Sequence, residues 1–294
     1  MFLKSLLLLH AIFFSYLIIF SLQQFYKNIA VMFPFLDLKI FRVPMYGLCM
    51  TVGIYAGFFV AYKLINNKQK FLDFVIVAIL SLAFGIIGAK ILYILTAHPV
   101  AEFFVVVWRM LFTKGNPELS GGFVFFGGLI FAPIGYLIGC KIAKCKLGDF
   151  LNEAAVVVPF GHAFGRIGCF CGGCCYGILY EGFGHVIYKN TLSDVPAGVG
   201  IFPVQLLEAF LLFVIFAGFL VIFLKKRRNL GEFTLFPFYI LTYSIVRFGL
   251  EFLRGDSERG FFWIFSTSQW ICILGVAISV VWILRCNAAR KRKA

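Results

Sequence analysis

The most informative segment of the chain is Tyr243-Ser-Ile-Val-Arg247-Phe-Gly-Leu-Glu251-Phe-Leu-Arg254. It lies in an apolar run, yet it keeps four polar side chains at spacings of 4, 4 and 3 residues, which places them along one face of a helix. Because charged groups are costly in a bilayer, a spanning helix that retains them usually faces a cavity or a partner helix. Two interpretations follow: a structural Arg–Glu pair between helices, or a buried site that binds an anion.

The composition of the whole chain indicates a membrane protein. Apolar residues make up 62% of the 294 residues, charged residues only 14%, and the mean hydropathy is +0.96. Soluble domains of this length do not have such values. The sequence therefore predicts an all-α polytopic membrane protein.

Eight apolar runs have the length that a bilayer requires, roughly 17–25 residues. They lie near residues 6–24, 45–64, 72–95, 122–140, 151–168, 203–224, 232–253 and 267–285, and the fifth is the weakest prediction. Eight crossings would place both termini on the same side of the membrane.

Basic residues separate the two sides of the membrane. Sixteen of the 27 lysines and arginines fall in short segments on one predicted side: Lys4; Lys63, Lys68 and Lys70; Lys141, Lys144 and Lys146; Lys225, Lys226, Arg227 and Arg228; and Arg285, Arg290, Lys291, Arg292 and Lys293. The positive-inside rule makes this side the cytoplasm. The net charge of +14 thus reflects topology and affinity for anionic lipid, and it argues against a nucleic-acid partner.

The first apolar run is treated separately from the others. Residues 1–30 begin like a signal peptide, but no small-x-small cleavage site follows, and Gln23-Gln-Phe-Tyr is bulky. We expect an uncleaved signal anchor or an extra transmembrane helix. Residues 31–286 would then form the membrane-embedded core, and residues 287–294 a basic cytoplasmic tail.

Polar and glycine-rich span ends gather on the side opposite the basic segments. Six spans contribute them: Tyr46 from the second, Lys90 from the third, Gly127 and Gly128 from the fourth, Arg166 from the fifth, Gln205 and Glu208 from the sixth, and residues 243–254 from the seventh. Glycines at such ends let backbones approach closely or give a ligand access. This convergence predicts a site that opens to the outer leaflet.

The charges of these residues define the expected chemistry. Arg166, Arg247, Arg254 and Lys90 outnumber the acidic partners Glu208 and Glu251. Guanidinium groups bind phosphate through two parallel hydrogen bonds. An outward-facing site with excess arginine suits a phospholipid headgroup.

Five motifs in order make the chain resemble the prolipoprotein diacylglyceryl transferase family, from about Phe33 to Arg285. They are Phe33-Pro34 through Tyr46-Gly-Leu; Gly85-Ile-Ile-Gly-Ala-Lys90; Gly165-Arg166-Ile-Gly-Cys169-Phe170 with Gly173 and Gly177; Pro203-x-Gln205-Leu-x-Glu208; and Tyr243-x3-Arg247-x3-Glu251-x2-Arg254. The resemblance implies a seven-helix core, with the first helix as an addition. It also implies a bacterial cytoplasmic (inner) membrane protein of lipoprotein biosynthesis.

The resemblance further implies a reaction. The family transfers the diacylglyceryl group of phosphatidylglycerol to the lipobox cysteine thiol of prolipoproteins, which present it in their signal peptides. Arg166 and Arg247 would neutralise the phosphate, while Tyr46 and Tyr243 would orient headgroup or substrate. Glu251 would hold Arg247 or Arg254, and no metal or soluble cofactor is required.

The chain departs from the family pattern where the family carries histidine and asparagine. Phe126 replaces a histidine before the paired glycines, Phe202 replaces another, and Cys169, Gly172 and Cys174 replace two asparagines and a glutamate. His162, one helical turn before Arg166, is the candidate replacement for the base that assists thiol deprotonation. A hydrogen-bonded packing histidine is the alternative.

The stretch Cys169-Phe-Cys171-Gly-Gly-Cys174-Cys175 is the other departure. An oxidising exterior favours a disulfide from Cys174 or Cys175 to Cys169 or Cys171. A zinc site is the second interpretation, although the usual two-part spacing of zinc ligands in the sequence is absent. A reactive thiol beside Arg166 is the third.

Three functions therefore stay open from the sequence. The leading one is the family's transfer reaction. The second uses the same lipid donor with another acceptor, and the third is a non-catalytic lipid-binding or thiol-redox membrane protein.

Overall fold

The computed structural model describes residues 34–38, 41–99, 102–113, 124–188, 195–226, 235–256 and 260–291, and it is predominantly helical. Seven helices in these ranges are long and apolar enough to cross a membrane, which confirms the predicted all-α polytopic class. The first predicted span, near residues 6–24, and the end of the basic tail lie outside the described residues.

All but one of the described helices follow the predicted apolar runs closely. They are α1 (Met45–Leu64), α2 (Lys68–Ala97), α3 (Phe103–Phe112), α4 (Phe125–Ile142), α5 (Leu151–Gly172), α6 (Val204–Lys226), α7 (Leu235–Leu250) and α8 (Thr267–Lys291). The weakest prediction, the fifth run, is confirmed by α5, which continues four residues beyond the predicted end at 168. Pro133 in α4 and Pro159 in α5 lie inside helices, as transmembrane helices tolerate.

Short antiparallel strand pairs connect these helices. They are β1 (Phe35–Leu38) with β2 (Phe41–Pro44), β3 (Val186–Ile187) with β4 (Gly200–Ile201), and β5 (Phe261–Phe262) with β6 (Phe265–Ser266).

Helix α3 was not among the predicted spans, because its ten residues extend only about 15 Å, half of a hydrocarbon core. Phe104, Trp108 and Phe112 recur every four residues and are all exposed. These aromatic side chains form one apolar stripe on the helix.

The end of α7 differs from the prediction of one continuous helix face. The α-helix stops at Leu250, a 3-10 turn covers Glu251–Leu253, and Arg254 has extended backbone angles of φ −87° and ψ 140°. Tyr243, Arg247 and Glu251 keep the predicted spacing. The prediction is wrong for Arg254, because the backbone leaves the helix before that residue.

The described residues divide into two compact units. The first contains residues 34–57, 155–226 and 236–291, and therefore the start of α1, most of α5, and α6, α7 and α8. The second contains the rest of α1, with α2, α3, α4 and the start of α5.

In the second unit, α2 and α4 approach each other through glycine. A Cβ atom on Gly127 would meet the carbonyl oxygen of Gly88 and would lie 2.8 Å from Cβ of Leu92. Gly128 lies against the same helix, where its Cβ would be 3.3 Å from the carbonyl oxygen of Gly85. Such close backbone packing is how small residues join helices in a membrane.

In the first unit, residues 176–180 tie three helix ends together. Ile178 N–H donates to Leu253 O over 3.0 Å, and Phe202 N–H donates to Ile178 O over 3.0 Å. Gly177 is required there, since a Cβ would meet the carbonyl oxygens of Phe202 and Leu253. The C-terminal ends of α5 and α7 therefore stand beside the N-terminal end of α6.

Candidate active site

Three helices of the first unit bring their polar side chains to one place. Arg166 comes from α5, Glu208 from α6, and Tyr243 and Arg247 from α7, while Glu251 opens the 3-10 turn. Glu208, Arg247 and Glu251 are buried, although each belongs to a helix whose other residues are largely apolar.

Glu208 is the centre of this group. Its Oε1 lies 3.0 Å from Nε of Arg166 and 4.0 Å from Nε of Arg247. The Tyr243 hydroxyl donates a 2.9 Å hydrogen bond to the same oxygen. From the sequence, Glu208 was expected to be a substrate-binding residue and an acidic partner of the arginines. Nothing in a linear motif shows that this one carboxylate joins α6 to both α5 and α7.

The second carboxylate holds one of the two arginines. Nη2 of Arg247 lies 2.6 Å from Oε2 of Glu251, one helical turn further on. This confirms that Glu251 pairs with Arg247, one of the two partners predicted for it. Arg254 pairs instead with Asp256, to whose Oδ1 its Nε donates over 2.8 Å. Sequence reasoning missed Asp256, and its only signal was a carboxylate two residues beyond an arginine.

The buried group is balanced in charge. Arg166 and Arg247 face Glu208 and Glu251, so their formal charges sum to zero, and Arg254 is balanced by Asp256. The expected excess of arginine over carboxylate is therefore not found among these described residues. Burying two ion pairs has a desolvation cost, which close geometry repays only in part, whereas removal of one partner typically costs about 3–5 kcal/mol.

Two guanidinium nitrogens remain without a hydrogen-bond partner in the part of the chain that the structure describes. They are Nη1 of Arg247 and Nε of Arg166, both fully buried. Nε of Arg166 is in ionic contact with Glu208 but lacks hydrogen-bond geometry. Because buried polar groups are normally satisfied, Nη1 of Arg247 is a ready donor for an anionic ligand.

Comparison with known proteins bears on this arrangement. A family model for prolipoprotein diacylglyceryl transferase matches residues 34–285. The chain belongs to this family.

Relatives of known name agree with the family match. A phosphatidylglycerol–prolipoprotein diacylglyceryl transferase of Clostridium tetani is 30% identical over 255 residues, which is 85% of this chain and 94% of the relative. One of Dehalococcoides mccartyi is 33% identical over 220 residues, 74% of this chain and 79% of the relative. Phosphatidylglycerol–prolipoprotein diacylglyceryl transferase 2 of Clostridium perfringens is 31% identical over 266 residues, which is 86% of this chain and 94% of the relative. The chain is thus a transferase-like member of a multi-pass bacterial membrane protein family.

In this family member, His162 lies against the central tyrosine. The rings of His162 and Tyr243 are 5.1 Å apart and meet edge to face, while Tyr239 stacks on Tyr243 at 6.2 Å. These contacts fit the packing alternative for His162. Its function as a base stays a prediction.

Two further candidates lie at the edges of the group. Tyr46 is 46% exposed, stands beside Gly168 of α5, and interacts electrostatically with Arg166. Gln205 donates a 2.9 Å hydrogen bond from Nε2 to the carbonyl oxygen of Cys174, so it fixes the loop that follows α5. Their assignment to substrate binding stays a prediction.

The remaining substrate-binding candidates belong to the second unit. Lys90 is buried, with its Nζ 5.1 Å from the centre of the Tyr93 ring. Gly127 and Gly128 are in contact with the backbone of α2. This contact is sufficient to explain why both residues are glycine, so no ligand is needed to account for them.

The cysteine stretch forms a compact group of free thiols. The Sγ atoms of Cys169, Cys174 and Cys175 all lie within 4.8 Å of one another. Hydrogen bonds from the thiols of Cys169 and Cys174 hold the pKa of Cys175 below its usual range, and Arg254 and Arg166 lower it further. Cys171 is not part of this group, and its side chain is hydrogen-bonded to that of Cys49 in α1.

Proposed function

We propose that this chain transfers the diacylglyceryl group of phosphatidylglycerol to the lipobox cysteine thiol in the signal peptide of a prolipoprotein. The product would be a thioether, formed at the outer leaflet of the bacterial cytoplasmic membrane. The family membership and the names of the relatives support the donor and the acceptor.

The observation that carries the proposal is a pair of buried guanidinium N–H groups that make no hydrogen bond within the described chain. They are Nη1 of Arg247 and Nε of Arg166, the latter in ionic contact with Glu208. A phosphodiester offers several oxygen acceptors at the spacing that guanidinium groups recognise. The two carboxylates keep the guanidinium groups in place before the lipid arrives. Such fixed donors need no reorganisation when charge develops on the phosphate.

The reaction replaces a carbon–oxygen bond with a carbon–sulfur bond. The acceptor thiol loses its proton to solvent, and its sulfur attacks the glycerol carbon that carries the phosphate. The C–O bond breaks, and glycerol phosphate leaves with the electron pair of that bond. Arg166 and Arg247 would stabilise the second negative charge that this phosphate gains. Glu251 and Glu208, to which the Tyr243 hydroxyl donates, would keep the arginines oriented.

The direction of α6 supports an outward-facing site. Glu208 lies near the N-terminal end of this helix, and Lys225 and Lys226 close its other end. The 17 residues from Glu208 to Lys225 extend about 26 Å, close to the thickness of the hydrocarbon core. If the lysines lie in the cytoplasm, as the positive-inside rule predicts, the site lies at the outer leaflet, and the eight crossings predicted from the sequence would place both termini inside.

The proposal is tested with purified protein, phosphatidylglycerol labelled in the glycerol backbone of its diacylglyceryl group and a synthetic lipobox peptide. We expect label to enter the peptide through an alkali-stable thioether, and not to enter a peptide with serine in place of the cysteine. Phosphatidylethanolamine serves as the donor control. Bound phosphatidylglycerol without any labelled peptide would contradict the proposed acceptor and favour a different acceptor or a lipid-binding protein.

A further inference from the structure

We propose that Cys169, Cys174 and Cys175 form a three-thiolate zinc site whose fourth position takes the acceptor thiol. The second half of this inference rests on the proposed function. The first half, the metal site, stands on the geometry of the three cysteines alone.

The positions of the three sulfur atoms suit one tetrahedral ion. Zinc binds thiolate sulfur at about 2.3 Å, which places two ligating sulfurs roughly 3.8 Å apart. In the structure the three Sγ atoms lie within 4.8 Å of one another, so small side-chain rotations bring them to this spacing. Soft thiolate ligands select Zn²⁺ or Cu(I) over Mg²⁺ and Ca²⁺.

The loop after α5 is built to bring these thiols together. Cys169 lies in the last turn of the helix, and the chain then reverses through Gly173, which has a φ of +71°. Cys174 N–H donates to Cys169 O over 3.2 Å, and Gln205 holds the carbonyl oxygen of Cys174. The cluster is therefore anchored by α6 as well as by its own helix.

Cys175 occupies an unusual backbone conformation. Its φ is +56°, in the left-handed region, which costs a residue with a Cβ atom roughly 1–2 kcal/mol. Strain of this kind persists only where the surroundings hold it, and it concentrates at functional sites. Here it accompanies the approach of a third thiol to the other two.

The surroundings suit an anionic metal centre. Three thiolates and Zn²⁺ carry a net charge of −1, and Arg166 and Arg254 both act electrostatically on Cys175. Cys169 is buried, whereas Cys174 and Cys175 are only partly buried. The site thus has a closed side and a side from which a ligand enters.

Three protein ligands with one open position are typical of catalytic rather than structural zinc. The acceptor thiol would release its proton to solvent when its sulfur binds the ion, since a coordinated thiol is deprotonated outright. That sulfur would then form the C–S bond as the C–O bond of the lipid breaks. Zinc would thereby activate the acceptor thiol. The family resemblance implies a histidine as the candidate base for this step, and this chain has Phe126 at that position.

The metal site is tested without any activity measurement. Full-length protein is purified in detergent under anaerobic, reducing conditions, equilibrated with Zn²⁺ alone and freed of excess metal. We expect one zinc per chain by mass spectrometry in wild type and in the control Cys286→Ser. We expect the zinc content to fall at least fivefold in Cys174→Ser and in Cys175→Ser.

Cobalt gives a second readout that a general folding defect would not imitate. We expect Co²⁺-loaded wild type to show thiolate charge-transfer bands and tetrahedral d–d bands, both lost in Cys174→Ser. Zinc-free wild type, a disulfide within the three cysteines of protein kept anaerobic, or binding of Cu(I) without Zn²⁺ would each overturn the zinc assignment. Equal zinc content in wild type and in both serine variants would do the same.

The acceptor half has its own outcomes. We expect a lipobox peptide to shift the cobalt bands and its serine counterpart to leave them unchanged. We also expect a chelator to abolish transfer and added Zn²⁺ to restore it. If zinc binds but transfer continues after the zinc has been removed, only the acceptor half of the proposal is overturned. Bound zinc with a peptide-induced shift but no transfer under any condition would contradict the proposed function and leave the site standing.

Discussion

The ion-pair group of the first unit and the glycine contact of the second were both singled out from the sequence as parts of one site. The structure gives them different characters. Around Glu208, three helices contribute charged side chains, and Nη1 of Arg247 makes no hydrogen bond within the described chain. At Gly127, the absence of a side chain is fully explained by the backbone of α2. Polar groups at membrane depth therefore indicate function more specifically than glycines do.

The largest effect is expected at Arg247. Arg247→Lys keeps a positive charge beside Glu208 and Glu251 but removes the planar set of N–H groups. Loss of such a donor should lower the rate of diacylglyceryl transfer about 10²–10³-fold, with the thermal unfolding midpoint close to wild type.

The matched control for this change is Arg285→Lys, an exposed arginine on α8. A rate for Arg247→Lys within threefold of wild type would mean that the arginine serves only the pairing of helices. The comparison between the two regions would then fail.

The second effect is on stability and concerns the glycine contact. In Gly127→Ala the added methyl group meets the carbonyl oxygen of Gly88, and overpacking of this kind costs about 1–3 kcal/mol. We expect a lower unfolding midpoint in detergent with an unchanged transfer rate per folded molecule.

Gly218→Ala in α6 is its control, since a Cβ there meets no atom of the described chain within 4 Å. Alanine there should stabilise the helix by about 0.5–1 kcal/mol. Normal stability of Gly127→Ala together with lost transfer would instead support the substrate-binding assignment made from the sequence.

A smaller effect is expected at Tyr243. Tyr243→Phe keeps the ring contacts and removes the hydrogen bond to Glu208, worth about 1.5–3 kcal/mol for a charged acceptor. Part of this stabilisation is present before the transition state, so we expect kcat to fall roughly tenfold. Tyr55→Phe, at an exposed tyrosine of α1, should leave kcat unchanged. An unaltered kcat in Tyr243→Phe would remove this hydroxyl from the proposed mechanism.

The smallest effect is expected at His162. Its observed contact is ring packing on Tyr243, and such aromatic pairs contribute about 0.5–1.5 kcal/mol. We expect His162→Phe, which retains a ring, to reduce transfer by less than tenfold at every pH. A loss of about 10²–10⁴-fold with a changed pH profile would establish His162 as the base.

Much of the fold could be predicted because it depends on local properties of the chain. Seven of the eight predicted spans coincide with described helices, since run length and hydropathy alone determine which segments can cross a bilayer. The Arg247–Glu251 pair was also within reach, because residues four apart on a helix are neighbours. Helix α3 and the early end of α7 were missed, because no change in the apolar composition of the sequence marks either of them.

The amino-acid sequence alone was enough for the membrane class, seven of the spans, the family and most polar residues of the candidate site. The three-dimensional fold was needed to show that Glu208 joins Arg166, Arg247 and Tyr243, and that Cys174 and Cys175 turn back onto Cys169. Tyr243 and Glu208 are 35 residues apart, and Gln205 and Cys174 are 31 apart. Contacts at such separations depend on how helices rotate and how their connecting loops fold, and no linear spacing encodes either.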